Sequence, residues 1–506
     1  MTMNVPINLE APSDVLVPTG VPGLDDVLVG GYADSSLHLI EGPPGSGKTT
    51  LALQFLMDGR SKGERGLYIT LSETKAELVR NAQGHGWSLD GLDIFELIPP
   101  ELTLNPREDQ SVLYASDLEL GETVDMVLKE IDRVRPNRVV FDSVAEIRLL
   151  SQNALRYRRQ ILALKHYLSQ QECTALFLDD LSQDPGETSL HSLAHAVIRL
   201  HQSALEFGGD RRRLRVCKMR GRPFKGGYHD FVIRRGGIVV FPRLIAAEHH
   251  RDYSDDAPVA SGIAELDNLL GGGLDRGTST LLMGPSGAGK SSIALQFACA
   301  ALARGDTALI VAFDETRRVL LKRAAGMGFA LAGVVESGQL MLEHVDPAEI
   351  SPGELSGMVR RAVEAGVGMV ILDSLTGYQN AMPEESYLTL QMHELLTYLG
   401  QQGVVTILVL AQHGLVGPMQ TTVDLTYISD TVLMLRFFEA EGSIRRAMSV
   451  MKKRTGSYEA TIREFALSGE GLRVGPALTQ FQGVLTGVPS FSGAASKLID
   501  GNENGS

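Results

Sequence analysis

The chain has 506 residues, of which 43% are hydrophobic and 21% charged, a balance typical of globular proteins. Its net charge of −14 disfavours a nonspecific nucleic-acid binder, and its three scattered cysteines exclude a secreted disulfide scaffold. Its first residues lack a signal-peptide pattern, and its apolar runs are too short to span a bilayer. We therefore expect a cytoplasmic protein without a membrane segment, for which nucleic acid is disfavoured as a partner.

A first predicted domain, residues 14–247, alternates short apolar runs with longer helical patterns. Strands that are apolar throughout are covered on both faces, which indicates an α/β fold whose largely parallel sheet is flanked by helices. The strands predicted here are Leu37–Ile40, Leu67–Thr70, Arg138–Phe141 and Ala175–Leu178.

A phosphate-loop pattern, G-x-x-x-x-G-K-T, follows the first of these strands. Its small residues let backbone N–H groups surround phosphate oxygens, its lysine binds the β- and γ-phosphates, and its hydroxyl reaches Mg²⁺. The helix that follows directs its positive end at the same phosphates. The pattern predicts ATP and Mg²⁺ as cofactors, held by Gly42, Gly45, Ser46, Gly47, Lys48, Thr49 and Thr50, with Thr49 on the metal.

Acidic residues end the next two predicted strands. Asp142 is predicted to hold a Mg²⁺-bound water, and the alternative is an N-cap of the following helix. Glu73 is predicted to be catalytic, because a carboxylate there can orient or deprotonate a nucleophile beside the γ-phosphate. The alternative for Glu73 is a solvated acid at the end of a strand.

The most basic stretch of the chain covers residues 211–222. It could be a nucleic-acid strip, a solvated strand face, or a strand whose cations reach a neighbouring subunit's ATP as an arginine finger. Alternation along a strand places Arg212, Lys218 and Arg220 on one face, which suits a single phosphate site and favours the finger. Met219 lies between these cations and is included in the predicted nucleotide contact.

A second predicted domain, residues 256–490, repeats the first after a polar, proline-ended linker, and residues 491–506 form a predicted flexible tail. Its predicted strands are Leu281–Met283, Ala308–Ala312, Met369–Leu372 and Val404–Leu410. Its predicted nucleotide contacts are Gly284, Gly287, Ala288, Gly289, Lys290, Ser291, Ser292, Arg446, Lys452, Lys453 and Arg454. Asp314 and Glu315 are the predicted catalytic pair, and Ser291, Asp314 and Asp373 are the predicted metal ligands.

The doubled pattern resembles the KaiC proteins of the RecA-like P-loop superfamily over about residues 14–490. The segments that carry the resemblance are the two phosphate loops, Leu71-Ser-Glu-Thr74, Phe313-Asp-Glu-Thr316, Asn81 to Trp87, both Asp-Ser strand ends, Lys218-Met-Arg220-Gly, Ile428-Ser-Asp-Thr431 and Ile462-Arg-Glu-Phe465. The doubled architecture with these segments is more specific than a phosphate loop alone.

The resemblance implies a double-ring homohexamer with ATP at each subunit interface, acting as a slow ATP-driven timer or signalling switch. The first ring would be the slow ATPase, and the second an autokinase and autophosphatase whose phosphoacceptors fall on Thr426 and Tyr427. Kai-type or other signalling proteins would be its partners.

Four positions depart from the family pattern. The paired catalytic glutamates are replaced by Ser72-Glu73 and by Asp314-Glu315, a tyrosine stands at the second phosphosite, and Arg454 lacks the usual following glycine. We therefore expect a homologue of the broader bacterial group and assume no circadian rhythm. Two alternatives stay open: a RecA-like DNA motor, which the net charge of −14 disfavours, and an ATP-dependent scaffold without kinase activity.

Overall fold

The computed structural model describes residues 15–97, 115–151, 154–180, 189–204, 208–249, 257–380, 388–412, 425–440, 442–485 and 490–491. Most of the predicted linker and the predicted tail, residues 250–256 and 492–506, lie outside this set. The chain divides into two compact units, and the division in the sequence falls between Arg243 and Leu244. The sequence placed the end of the first domain at residue 247, but Leu244 and Ala246 pack in a hydrophobic core of the second unit.

The first unit contains eleven described strands and seven described helices. The strands are β1 Leu16–Val17, β2 Tyr32–Ala33, β3 Leu37–Gly42, β4 Gly66–Thr70, β5 Asp93–Glu96, β6 Arg138–Asp142, β7 Thr174–Asp180, β8 Ala196–Ser203, β9 Arg211–Met219, β10 His229–Arg234 and β11 Gly237–Phe241. The helices are α1 Leu24–Val27, α2 Lys48–Ser61, α3 Lys75–Gly84, α4 Ala115–Val134, α5 Val144–Ser151, α6 Ala154–Gln170 and α7 Ser189–Leu193.

Nine of these strands form one sheet in the order β11-β10-β9-β8-β3-β7-β6-β4-β5. The six strands from β5 to β8 run parallel, and β9, β10 and β11 extend the sheet as an antiparallel meander. One face packs against α1, α2 and α3, and the other against α4, α5 and α6. Burial on both faces explains why the central strands are apolar throughout.

The second unit contains eleven described strands and seven described helices. The strands are β12 Ser279–Gly284, β13 Ala308–Ala312, β14 Leu340–His344, β15 Met369–Asp373, β16 Val405–Ala411, β17 Thr431–Ala440, β18 Ser443–Lys453, β19 Arg463–Ser468, β20 Gly471–Ala477, β21 Phe481–Gln482 and β22 Ser490–Phe491. The helices are α8 Ala264–Leu269, α9 Lys290–Ala303, α10 Arg317–Gly326, α11 Ala332–Glu336, α12 Pro352–Glu364, α13 Leu375–Asn380 and α14 Leu388–Gln401.

The second nine-stranded sheet repeats the connectivity of the first, in the order β14-β13-β15-β16-β12-β17-β18-β19-β20. The strand that precedes the phosphate loop is central in both sheets, β3 in one and β12 in the other. The predicted fold class, two tandem RecA-like α/β domains, is confirmed. Among the described residues, no helix is both long and apolar enough to cross a membrane.

One buried cation distinguishes the first sheet from the second. The side chain of Arg138, only 1% exposed, forms ion pairs with Asp58 and Glu64 and donates to the carbonyl oxygen of Phe55 at 2.7 Å. Its ladder position in the second sheet is occupied by Met369. The guanidinium therefore replaces apolar packing with hydrogen-bonded charge.

We predict that Arg138→Ala lowers the free energy of unfolding of the first unit by about 3 kcal/mol, because it removes the cation that pairs with Glu64 and Asp58 and leaves a void. The measurement is urea unfolding followed by the fluorescence of Trp87, the single tryptophan, which packs against the core of this unit. Arg138→Met, which copies the second sheet, should cost less because it restores apolar volume. A change below about 0.5 kcal/mol in Arg138→Ala would contradict the prediction.

Candidate functional site

The first phosphate loop joins the buried strand β3 to the helix α2. Gly45 and Gly47 have φ angles of 78° and 102°, in the left-handed region that glycine tolerates without strain. The hydroxyl of Ser46 is buried and has no hydrogen-bond partner among the described residues. A loop of this kind presents its N–H groups to an anion, whereas the Ser46 side chain is fully buried.

The second phosphate loop has the same geometry between β12 and α9. Gly287 and Gly289 have φ angles of 78° and 101°. A cavity of about 490 Å³ adjoins this loop, large enough for the phosphates of a nucleotide. Its lining includes Gly287, Gly289, Lys290, Ser291, Ser292, Asp314, Glu315 and Asp373. Ala288 is buried in the core beneath the loop.

Both phosphate-loop lysines fold back over their loops. The Nζ atom of Lys48 donates to the carbonyl oxygen of Gly42 at 2.7 Å, and that of Lys290 donates to Gly284 at 2.9 Å. Burial lowers the pKa of Lys290 to about 8, although the charge of Asp373 opposes the shift. A bound phosphate would restore the ordinary pKa, because an opposite charge favours the ammonium form.

A hydroxyl and a carboxylate meet beside each phosphate loop. Thr49 Oγ1 donates to Asp142 Oδ2 at 3.1 Å, and Ser291 bonds to Asp373 in the second unit. Burial raises the pKa of both carboxyls, while these hydroxyl bonds oppose the rise. Within the described residues there is no cluster of three His, Cys, Asp or Glu side chains suited to a metal ion. One hydroxyl and one carboxylate suit Mg²⁺, which takes its other ligands from phosphate and water.

The second unit adds two acids to its site. Ser374 Oγ donates to Asp314 Oδ2 at 2.5 Å, which holds this carboxylate next to the strand end that carries Asp373. Glu315 accepts two hydrogen bonds from Arg323, at 3.1 and 2.6 Å. The predicted catalytic pair thus lies in one cavity with the phosphate loop, with Asp314 and Glu315 held by different partners.

The first unit differs at both of these positions. Ser72 stands where the second unit has Asp314, and Glu73 stands where it has Glu315. Asn81 takes the place of Arg323 and lies 3.5 Å from Glu73 Oε2. Burial raises the pKa of Glu73, and the charges of Asp142 and Glu77 add to the shift. The first site therefore has one acid fewer at the end of this strand.

A reciprocal exchange accompanies this loss. A Cβ at Gly377 would lie 2.2 Å from Asp314 Oδ1, so only glycine leaves room for that carboxylate. The corresponding residue of α5 in the first unit is Glu146, three residues after Ser143. The N–H group of Glu146 donates to the carbonyl oxygen of Ser143 at 3.3 Å. A small residue at position 72 thus occurs together with a larger one at position 146.

Two residues of the first site were not predicted. Asp180, at the end of β7, forms an ion pair of 2.7 Å with Lys48. The hydroxyl of Tyr68, inside β4, donates to Asp142. The pair of acids that ends the apolar run Ala175–Leu178 was the available signal for Asp180, whereas nothing in the sequence distinguishes Tyr68 from an ordinary core aromatic.

The expectation that Arg212, Lys218 and Arg220 share one strand face is wrong. The pairing of β9 with β8 shifts register, and Cys217 has no partner between two paired neighbours. This extra residue reverses the alternation, so Arg212 and Lys218 face opposite sides of the sheet, and Arg220 lies beyond the end of β9. Met219, which the sequence placed in the nucleotide contact, is buried in the hydrophobic core.

Lys218 and Arg220 instead cap the segment that precedes β8. Lys218 donates to the carbonyl oxygens of His191 and Ala194, the latter at 3.0 Å, and Arg220 donates to that of Ser192. Among the described residues, neither cation has a carboxylate partner.

The second unit has a similar arrangement at the predicted phosphoacceptors, except that Arg454 also pairs with Asp430 at 3.3 Å. Lys452 donates to the carbonyl oxygen of Thr426 at 2.7 Å, and Arg454 donates to that of Tyr427. The segment is a turn before β17, which begins at Thr431, so the alternative that Thr426 is a strand residue is wrong. The side chain of Tyr427 is exposed and that of Thr426 is partly buried.

The remaining predicted cations take different positions. Lys453 is 3% exposed and is held by Asp275 at 3.1 Å and by the carbonyl oxygen of Leu270 at 2.7 Å, which gives it a structural role inside its unit. Arg446 lies over the ring of Phe437, with 5.8 Å between the guanidinium carbon and the ring centroid. Thr50, a predicted nucleotide contact of the first phosphate loop, forms a hydrogen bond of 3.4 Å with His85.

Comparison with known proteins identifies the family to which these sites belong. A family model described as the KaiC ATPase matches residues 17–245 and 259–479, so it matches once over most of each unit. The chain belongs to the KaiC family. Similar proteins include the circadian clock protein KaiC3 of Synechocystis sp., 26% identical, with 94% of each chain covered.

Two further relatives are circadian clock oscillator proteins named KaiC. The protein of Acaryochloris marina is 27% identical over 93% of this chain and 91% of its own length. That of Parathermosynechococcus lividus is 25% identical over 93% of this chain and 87% of its own length. Membership of the KaiC family confirms the expected resemblance and supports ATP binding and ATPase activity in this chain.

Proposed function

We propose that the protein hydrolyses ATP at both phosphate loops and, in its second unit, transfers a phosphoryl group to its own Thr426, acting as a slow ATP-driven switch or timer. One observation carries the proposal. In each unit the phosphate-loop lysine is held by its loop, and the next residue's hydroxyl is hydrogen-bonded to a carboxylate at a strand end. Such a set supplies what phosphoryl transfer requires, namely positioning and charge neutralisation.

Mg²⁺ would be held by Thr49 and Asp142 in the first unit and by Ser291 and Asp373 in the second. When bound, it neutralises charge on the β- and γ-phosphates. Lys48 and Lys290 add a second positive charge at the same oxygens. Phosphatase activity of the second unit and Kai-type or other signalling partners are proposed on family membership.

In the second unit we assign the base to Asp314. Its carboxylate is held by Ser374 and would accept the proton of the attacking hydroxyl, on Thr426 or on water. The γ-phosphorus then forms a bond to that oxygen as its bond to the β-phosphate oxygen breaks, and ADP leaves. Glu315, the residue after Asp314, is held by two hydrogen bonds from Arg323 and would orient the nucleophile.

We also propose a homohexamer with ATP at each subunit interface. Lys218 and Arg220 in the first unit, and Lys452 and Arg454 in the second, would bind the phosphates of the neighbouring subunit. The support is that Lys218 and Arg220 are presented on backbone carbonyls and have no carboxylate partner among the described residues. A cation delivered to the transferred phosphate stabilises its transition state.

Arg220→Ala is therefore expected to lower ATP hydrolysis by about tenfold or more and to weaken ATP-dependent assembly. The measurements are phosphate release and light scattering with and without ATP. Arg222→Ala, which removes a partly buried cation two residues away, is the matched control and should leave both unchanged. A monomeric Arg220→Ala protein that keeps full activity would contradict the interface role.

A further inference from the structure

Asp180 lies where a catalytic carboxylate of the first site would be placed. β7 runs between β6, which ends at Asp142, and β3, which leads into the phosphate loop. The ladder partner of Asp180 on β3 is Gly42, the first residue of that loop. Its Oδ1 atom lies 2.7 Å from the Nζ atom of Lys48, and 49% of its side chain remains exposed. The carboxylate thus reaches both the lysine that binds the γ-phosphate and solvent water.

The second unit has no acid at this place. The ladder partner of Gly284 on β16 is Ala411. Conversely, the second unit has Asp314 where the first has Ser72, whose hydroxyl is far too weak a base to take a proton at neutral pH. Each site therefore carries one carboxylate that the other lacks, at the ends of two different strands of the same sheet.

We propose that Asp180 is the general base for ATP hydrolysis in the first unit, in the role assigned to Asp314 in the second. This inference rests on the proposed ATPase function of the first site. It explains how that site can turn over ATP although Ser72 stands where the second unit has Asp314.

The reaction balances without a further reactant. A water oxygen bonds to the γ-phosphorus, the bond from that phosphorus to the β,γ-bridging oxygen breaks, and one water proton passes to the carboxylate of Asp180. ADP and phosphate are released, and the proton then leaves to solvent. Lys48 would move from Asp180 to the phosphate oxygens as ATP binds, which frees the carboxylate to accept a hydrogen bond from water.

Two other acids of the first unit compete for this role. Glu73 is held between the strand β4 and the helix α3, whose N-cap Thr74 follows it directly, and its carboxylate faces Asn81. Glu146 has no hydrogen bond to the phosphate loop or to Asp142 among the described residues. Asp180 alone of the three contacts a group that binds the transferred phosphate.

The test uses the full chain carrying Lys290→Ala, so that turnover comes from the first site. In this background Asp180→Asn is expected to lower kcat by about a hundredfold or more. The affinity for a fluorescent ATP analogue should change by less than about threefold, because asparagine can still accept a hydrogen bond from Lys48. Asp180→Glu, which keeps the carboxylate, should retain measurable hydrolysis. Trp87 fluorescence checks that each variant is folded.

Glu146→Gln is the matched control, since it also replaces one carboxylate of the first unit by its amide, and it should keep its kcat. Glu73→Gln tests the competing acid. The proposal is overturned if Asp180→Asn keeps its kcat, if it changes only ATP affinity, or if Glu73→Gln or Glu146→Gln alone abolishes turnover. A Lys290→Ala protein that binds ATP and releases no phosphate would overturn the ATPase function of the first unit together with this inference. An active Lys290→Ala protein with unimpaired Asp180→Asn would overturn the inference alone.

Discussion

Lys48→Ala is expected to remove most of the basal ATP hydrolysis, while Lys290→Ala is expected to remove autophosphorylation. Each substitution deletes the positive charge at the β- and γ-phosphates of one site, which should slow that site by roughly 10²–10³-fold. The two sites lie in separate units with separate cores, so neither substitution should unfold the other unit. Phosphate release and phosphoprotein yield would be measured on the parent and on both variants.

Lys129→Ala is the matched control for these variants, because Lys129 is an exposed lysine on α4 with no part in either site. It should hydrolyse ATP and become phosphorylated like the parent. If Lys48→Ala retained the parental rate of hydrolysis, the assignment of basal hydrolysis to the first unit would be wrong. Autophosphorylation that survived in Lys290→Ala would likewise remove the kinase from the second unit.

Thr426 is expected to carry phosphate after incubation with Mg·ATP, with Tyr427 modified little or not at all. Lys452 holds the carbonyl oxygen of Thr426 and so fixes the turn that presents its hydroxyl. Asp314→Asn should slow the modification by roughly 10²–10⁴-fold, since the amide cannot accept the hydroxyl proton. Site-resolved phosphopeptide mapping of the parent, Thr426→Ala and Asp314→Asn proteins measures both effects.

Tyr427→Phe provides the control, because it removes the neighbouring hydroxyl and keeps the ring. Phosphate on Thr426 should persist in this variant and disappear in Thr426→Ala. An unmodified Thr426 in the parent at saturating ATP would disprove the autokinase and leave an ATPase switch. Transfer to Tyr427 in preference to Thr426 would mean that the longer side chain, which is 57% exposed, reaches the phosphate more readily.

The central strands illustrate what local patterns predict well. The run Arg138–Phe141 predicted β6, and Ala308–Ala312 predicted β13, because a parallel strand covered on both faces is apolar along most of its length. The phosphate loops were equally visible, since their glycines are required at positive φ and their lysines and hydroxyls at fixed spacing. The hydroxyl–carboxylate pairs followed from strand ends that meet at one edge of the sheet.

The cations of β9 show where such patterns fail. Strict alternation predicted one face for Arg212 and Lys218, but a single extra residue at Cys217 reverses it. The sequence carries no mark of this bulge, because it arises from the register of two paired strands. Lys453 was predicted to contact the nucleotide, but its ammonium group instead forms an ion pair with Asp275, which is far away in the sequence.

The sequence by itself determined the two-domain α/β fold, both phosphate loops and the hydroxyl–carboxylate pairs beside them, because these depend on local composition and spacing. Only the tertiary structure decided which acids serve which site. Asp180 reaches Lys48 because β7 lies beside β3, and Asp314 fits because Gly377 leaves space for it. Contacts between strands that are distant in the sequence depend on sheet order and register, which no local pattern of residues encodes.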